Sequence, residues 1–104
     1  QDGRAGLPLL TSLFEQVGAT LADFHARYGN KQHGDFQPAN IIYNETTGKI
    51  TFIDLGNMGN PKSPLGADVT QLKDAIRYIY ALRDPSIAQT LEQRFVNGYE
   101  RRKR

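Results

Sequence analysis

At 104 residues with 38% hydrophobic side chains, the chain carries enough apolar surface for one core and one small domain. Its net charge of +2 gathers in Arg101-Arg102-Lys103-Arg104, leaving the remainder near neutral or slightly acidic, which argues against a broad nucleic-acid-binding face. The absence of cysteine excludes disulfides, thiolate catalysis and zinc–thiolate sites and is consistent with an intracellular location. No apolar run reaches the ~18 residues that a membrane span requires, and no signal-like segment is read.

Residues 1–8 contain glycine and proline and read as an irregular lead-in. Over 9–28 the apolar residues Leu10, Leu13, Phe14, Val17, Leu21 and Phe24 recur at three- and four-residue steps, predicting an amphipathic helix with one buried stripe, ended at Gly29-Asn30. His25, near its end, reads as structural. The following stretch, His33-Gly34-Asp35-Phe36-Gln37-Pro38-Ala39-Asn40-Ile41-Ile42-Tyr43, is a loop with one carboxylate leading into an apolar run. A second apolar run, Ile50-Thr51-Phe52-Ile53, follows the turn-forming Asn44-Glu45-Thr46-Thr47-Gly48-Lys49, whose glycine can take φ > 0. The pair predicts a β-hairpin. Asn40 enters its first strand and Asp54 leaves its second, so antiparallel pairing should bring them roughly 5 Å apart, with Asp35 at the same mouth. Two carboxylates and a carboxamide at one place suit Mg²⁺, which takes few protein oxygens and completes its octahedron with water and phosphate. The histidines together with Asp35 and Asp54 fit no compact zinc or iron ligand spacing.

Residues 57–67 form a loop rich in Gly, Pro, Asn and Ser, in which Ser63-Pro64 is read as an ordinary turn. Asp68 is placed as the N-cap of a helix from Val69 to about Arg83, with Val69, Leu72, Ile76, Ile79 and Tyr80 on one face and Asp84-Pro85 as its stop. Tyr78 and Tyr80 are expected to pack. Ser86 is expected to cap a third helix in which Ile87, Leu91, Phe95 and Tyr99 recur every four residues, and residues 101–104 are expected to be a solvated basic helix end.

His-Gly-Asp-x-x-x-x-Asn followed by Ile-Asp-x-Gly resembles the catalytic loop and metal-binding motif of the protein-kinase-like superfamily. Gly34, where protein kinases have Arg, is similar to the branch containing aminoglycoside, choline and fructosamine phosphotransferases. The resemblance implies that Asp35 is the catalytic aspartate, that Asn40 and Asp54 hold Mg²⁺, and that Gly56 is the glycine of the Asp-x-Gly turn. It further implies that His33 packs under the loop and bonds backbone rather than acting as a base, and that Asp68 braces the catalytic loop. Leu21-Ala22-Asp23-Phe24-His25 and Phe95-Val96-Asn97-Gly98-Tyr99 are similar to helical segments of the same small-molecule kinases. The chain departs from the pattern at Gln37, where a Lys or His is usual, and at Leu55, where Phe or Trp is usual. No glycine-rich loop or Lys-bearing strand precedes His33, and no Ala-Pro-Glu anchor follows the short 57–67 loop.

The resulting expectation is an α+β fold, the mainly helical C-terminal lobe of a kinase-like protein with a small hairpin bearing the catalytic and metal motifs, spanning 1–104 without the N-terminal lobe. The resemblance implies ATP- and Mg²⁺-dependent phosphorylation of a hydroxyl on a small molecule, once an N-terminal lobe or a partner protein covers the ATP-cleft side; the chain alone is not expected to be active. The alternative is a catalytically inactive, kinase-derived scaffold or interaction subunit of a larger assembly.

Overall fold

The computed structural model describes residues 3–29, 31–59, 66–80 and 84–103. They form an α+β structure that is mostly helical: helix α1 (Gly3–Arg27), strands β1 (Ile41–Asn44) and β2 (Lys49–Phe52), helix α2 (Ala67–Tyr80) and helix α3 (Pro85–Lys103). Among the described residues no helix is long and apolar enough to cross a membrane.

Helix α1 begins at Gly3, so 3–8 is helical rather than an irregular lead-in. Pro8 falls in the second turn, where it has no N–H to donate to the carbonyl four residues back. The apolar stripe packs as its spacing predicts: Phe14, Val17 and Leu21 are buried, and Leu10, Leu13 and Phe24 pack against them. Gly29, at φ 65, ends the run in the left-handed conformation that glycine adopts without steric cost, while Asn30 lies outside the described residues.

The two strands pair antiparallel, Ile41 opposite Phe52 and Asn44 opposite Lys49. Their turn is held by the Asn44 side chain, whose Oδ1 accepts from Thr46 N at 2.9 Å and Thr47 N at 3.2 Å, and it closes at Gly48 with φ 72. Phe52, on the inner face, meets Phe36 and Phe24 edge-on, with ring centroids 4.9 and 5.5 Å apart.

Asp68 is the second residue of α2, not its N-cap, because the helix opens at Ala67. Leu72 and Ile76 are buried and Val69 and Tyr80 pack beside them, but Ile79 is half-exposed and Tyr78 is 85% exposed, so neither belongs to the core. Residues 81–83, the predicted end of this helix, and 60–65, which include Ser63-Pro64, lie outside the described set. The cap of α3 is Asp84 rather than Ser86: its Oδ1 accepts from Ser86 N at 3.0 Å and Ile87 N at 3.4 Å, with Pro85 pre-set for the first turn.

Helix α3 contributes Leu91, Phe95 and Tyr99 to the core and lies against α1 at backbone contact. A Cβ on Gly98 would collide with the Glu15 carbonyl oxygen, and one on Gly18 would collide with the Phe95 carbonyl oxygen and lie 2.7 Å from Tyr99 N. Flanking this crossing, Glu15 meets Arg94 at 3.2 Å and Arg101 at 2.7 Å, and Asp23 meets Arg102 at 2.9 Å. Arg101 and Arg102 thus lie on an exposed helix end, as expected, and each also meets a carboxylate of α1, although pairs this exposed add little stability.

Candidate functional site

The loop between α1 and β1 carries almost no apolar anchor of its own, so its shape depends on polar contacts from the helices. Phe36 is the exception, fully buried between the Phe52, His33 and Phe95 rings. Asp68, also fully buried, accepts hydrogen bonds from His33 N at 2.6 Å and Gly34 N at 3.0 Å, and its own N–H donates to Gln32 Oε1 at 3.0 Å. The expected brace is thus present as a set of contacts, and it replaces the capping role. Gly34 sits at φ 94, a conformation that glycine takes readily and side chains rarely do. One helical turn further along α2, Gln71 continues the brace: its Nε2 donates to Gly34 O at 3.1 Å and its Oε1 accepts from Phe36 N at 2.8 Å.

His33 is fully buried, and each ring nitrogen has a backbone partner: Nδ1 accepts from Asp35 N at 3.2 Å and Nε2 donates to Ile53 O at 2.7 Å. A carbonyl only accepts and an amide N–H only donates, so these partners define the tautomer with its proton on Nε2. The imidazole therefore links the loop to the residue that precedes Asp54. His25 is bonded at both nitrogens as well, to Tyr99 Oη at 2.7 Å and to Asp68 Oδ2 at 2.8 Å.

Burial pushes the Asp68 carboxyl up, but its hydrogen bonds from His25, His33 and Gly34 outweigh this and hold it below its ordinary value of 3.8. Burial, helped by the charges of Glu100 and Asp68, pushes the Tyr99 hydroxyl above its ordinary value of 10.0.

Asp35 and Asn40 come together across a 3₁₀ turn, Pro38–Asn40. Asn40 Nδ2 donates to the Asp35 carbonyl oxygen at 2.8 Å and to its Oδ2 at 3.2 Å, while Gln37 Nε2 donates to Oδ1 at 3.0 Å. Both carboxylate oxygens of Asp35 are thereby oriented by carboxamides, and the Asn40 amide nitrogen is committed to this side. Across the hairpin mouth, Ile53 N donates to Asn40 O at 2.9 Å, so the residue opposite Asn40 is Ile53, and Asp54 lies one position beyond. Asp54 is exposed and left-handed, with φ 61 and ψ 63, the single non-glycine residue with positive φ among those described. Backbone held in a sparsely populated region is commonly tied to function. Leu55–Asn57 then form a short 3₁₀ turn, in which Gly56 has neither a positive φ nor a crowded Cβ position, so the backbone does not require glycine there.

The groups that could hold a cation at this mouth are the Asn40 carboxamide oxygen, whose nitrogen is turned to Asp35, and the exposed Asp54 carboxylate. No group of three or more His, Cys, Asp or Glu side chains gathers as a metal cage among the described residues. A carboxamide and a carboxylate oxygen are hard donors of the kind that Mg²⁺ takes.

Sequence reasoning missed Gln71 and Gln32 and left His25 without a partner. Gln71 was accessible, since it stands three positions after Asp68 on the same helix face. The bond between His25 and Asp68, 43 residues apart, left no local signal. Comparison with protein-family models, curated proteins and solved structures found no match.

Proposed function

We propose that this chain supplies the catalytic and metal-binding half of an ATP- and Mg²⁺-dependent phosphotransferase of the aminoglycoside-phosphotransferase-like type, with the fold of a kinase-like C-terminal lobe, acting on a small-molecule hydroxyl. The observation that carries the reading is the placement of the Asp35 carboxylate, both of whose oxygens accept carboxamide hydrogen bonds at 3.0 and 3.2 Å, beside Asn40 at the hairpin mouth that Asp54 leaves. In this role Asp35 orients the acceptor hydroxyl and takes its proton, and Asn40 and Asp54 hold the ion. Mg²⁺, when bound, neutralises charge on the phosphate oxygens. Catalysis of this kind is chiefly positioning, which suits a carboxylate locked by its neighbours. A glycine-rich loop and its lysine would come from another segment or a partner chain covering the cleft side.

A second reading, a kinase-derived interaction subunit, draws support from Ile42, Ile53 and Leu55, whose side chains are 41–49% exposed around the same mouth. Calorimetry of ATP binding to the assembly containing this chain, with and without Mg²⁺ and with Asp54→Ala, separates the two. Mg²⁺-dependent binding that disappears in Asp54→Ala supports the phosphotransferase. No binding overturns it in favour of the interaction subunit.

A further inference from the structure

The segments Leu21–His25 and Phe95–Tyr99 lie outside the hairpin mouth, yet the structure joins both to it through one buried polar chain. The Tyr99 hydroxyl lies 2.7 Å from His25 Nδ1, and His25 Nε2 lies 2.8 Å from Asp68 Oδ2. Because a carboxylate only accepts, Nε2 carries a proton and donates it to Asp68, and with the imidazole neutral Nδ1 accepts from the Tyr99 hydroxyl. The same Asp68 oxygen accepts His33 N, and the other accepts Gly34 N, the two amides immediately before Asp35.

These groups are 8%, 2% and 0% exposed for Tyr99, His25 and Asp68, so the chain is nearly dry. Desolvating an imidazole–carboxylate pair is costly, and an apolar trio of similar volume would fill the space at less cost. An apolar trio could not present acceptors to the loop amides. The close helix crossing at Gly98 brings the neighbouring Tyr99 down to His25. Networks in which every member is satisfied fix one geometry, and among the described residues no buried side-chain polar atom lacks a partner.

We propose that Tyr99 and His25 are positioning residues for Asp35: α3 and α1 orient the Asp68 carboxylate, and Asp68 sets the His33–Gly34 backbone from which Asp35 projects. The functional weight of this inference rests on reading Asp35 as the catalytic carboxylate, but its geometry is testable without nucleotide.

Tyr99→Phe keeps the ring and removes only the hydroxyl. Amide hydrogen exchange in this variant should quicken about tenfold at His33 and Gly34 relative to the core amides of Leu72 and Phe95. An unchanged local rate, or one common factor at all four amides, would overturn the proposal, since the hydroxyl would then serve general packing or nothing. A second measurement needs no variant: the ¹⁵N shifts of His25 should show a protonated Nε2, and an unprotonated Nε2 would also overturn it. Neither readout depends on Mg²⁺ or ATP, so a failed calorimetric test of Asp54→Ala and a failed relay remain distinct results.

Discussion

Asp68 concentrates more of the site than any other residue described, because one fully buried carboxylate receives His25, His33 N and Gly34 N. Its folded-state pKa is lowered below 3.8, so the unfolded chain binds a proton first as pH falls. The stability it contributes is therefore complete above about pH 4–5 and is lost as pH drops through the lowered folded value. Asp68→Asn should destabilise the fold by roughly 3 kcal/mol at pH 7, since it places an amide N–H₂ among donors. Urea unfolding of both proteins at pH 7 and pH 3 checks this: the gap should narrow in acid, and a gap that persists or widens would contradict the assignment. His33 obeys the same logic of satisfied partners, with each nitrogen bonded to backbone, which supports reading it as structural rather than as a base.

The crossing of α1 and α3 shows how an element can depend on a missing side chain. In an exposed helix interior, Gly→Ala ordinarily gains up to about 1 kcal/mol. At Gly98 the added methyl would strike the Glu15 carbonyl, backbone that cannot move without shifting a helix. Gly98→Ala should therefore destabilise by about 2 kcal/mol or more, read from the urea midpoint. A neutral or stabilising result would mean the helices are not at backbone contact. Much at this scale was legible in the sequence. The 3.6-residue apolar stripe of α1, the turn chemistry of Asn44–Gly48 and the four-residue steps of α3 are local patterns, and local patterns specify local structure. Helix starts were read less well. Asp68 and Ser86 both have good capping chemistry, but Asp68 is drawn to the loop amides instead and Asp84 captures the α3 cap ahead of Ser86. Tyr78 and Ile79 were misplaced because a helix face is buried only where another element covers it.

For the whole molecule, the site depends on contacts spanning the chain: α1 supplies His25, the hairpin Asn40 and Asp54, α2 Asp68 and Gln71, and α3 Tyr99. That Asp35, Asn40 and Asp54 gather at one end of the hairpin could be read from the strand and turn pattern, with their roles implied by the resemblance, whereas the tie from Tyr99 to His25 crosses 74 residues and no period records it. The central claim is that Asn40 and Asp54, beside Asp35, hold a nucleotide-bound divalent ion. Its most direct test is titration of ¹⁵N-labelled chain, within its assembly, with Mn²⁺ in the presence of ATP, following paramagnetic broadening residue by residue. The account predicts that the Asn40 side-chain amide and the backbone amides of Asp35 and Asp54 broaden first, and that Asp54→Ala abolishes the effect. Broadening centred on other exposed carboxylates, such as Glu45 or Asp74, or none at all, would contradict it.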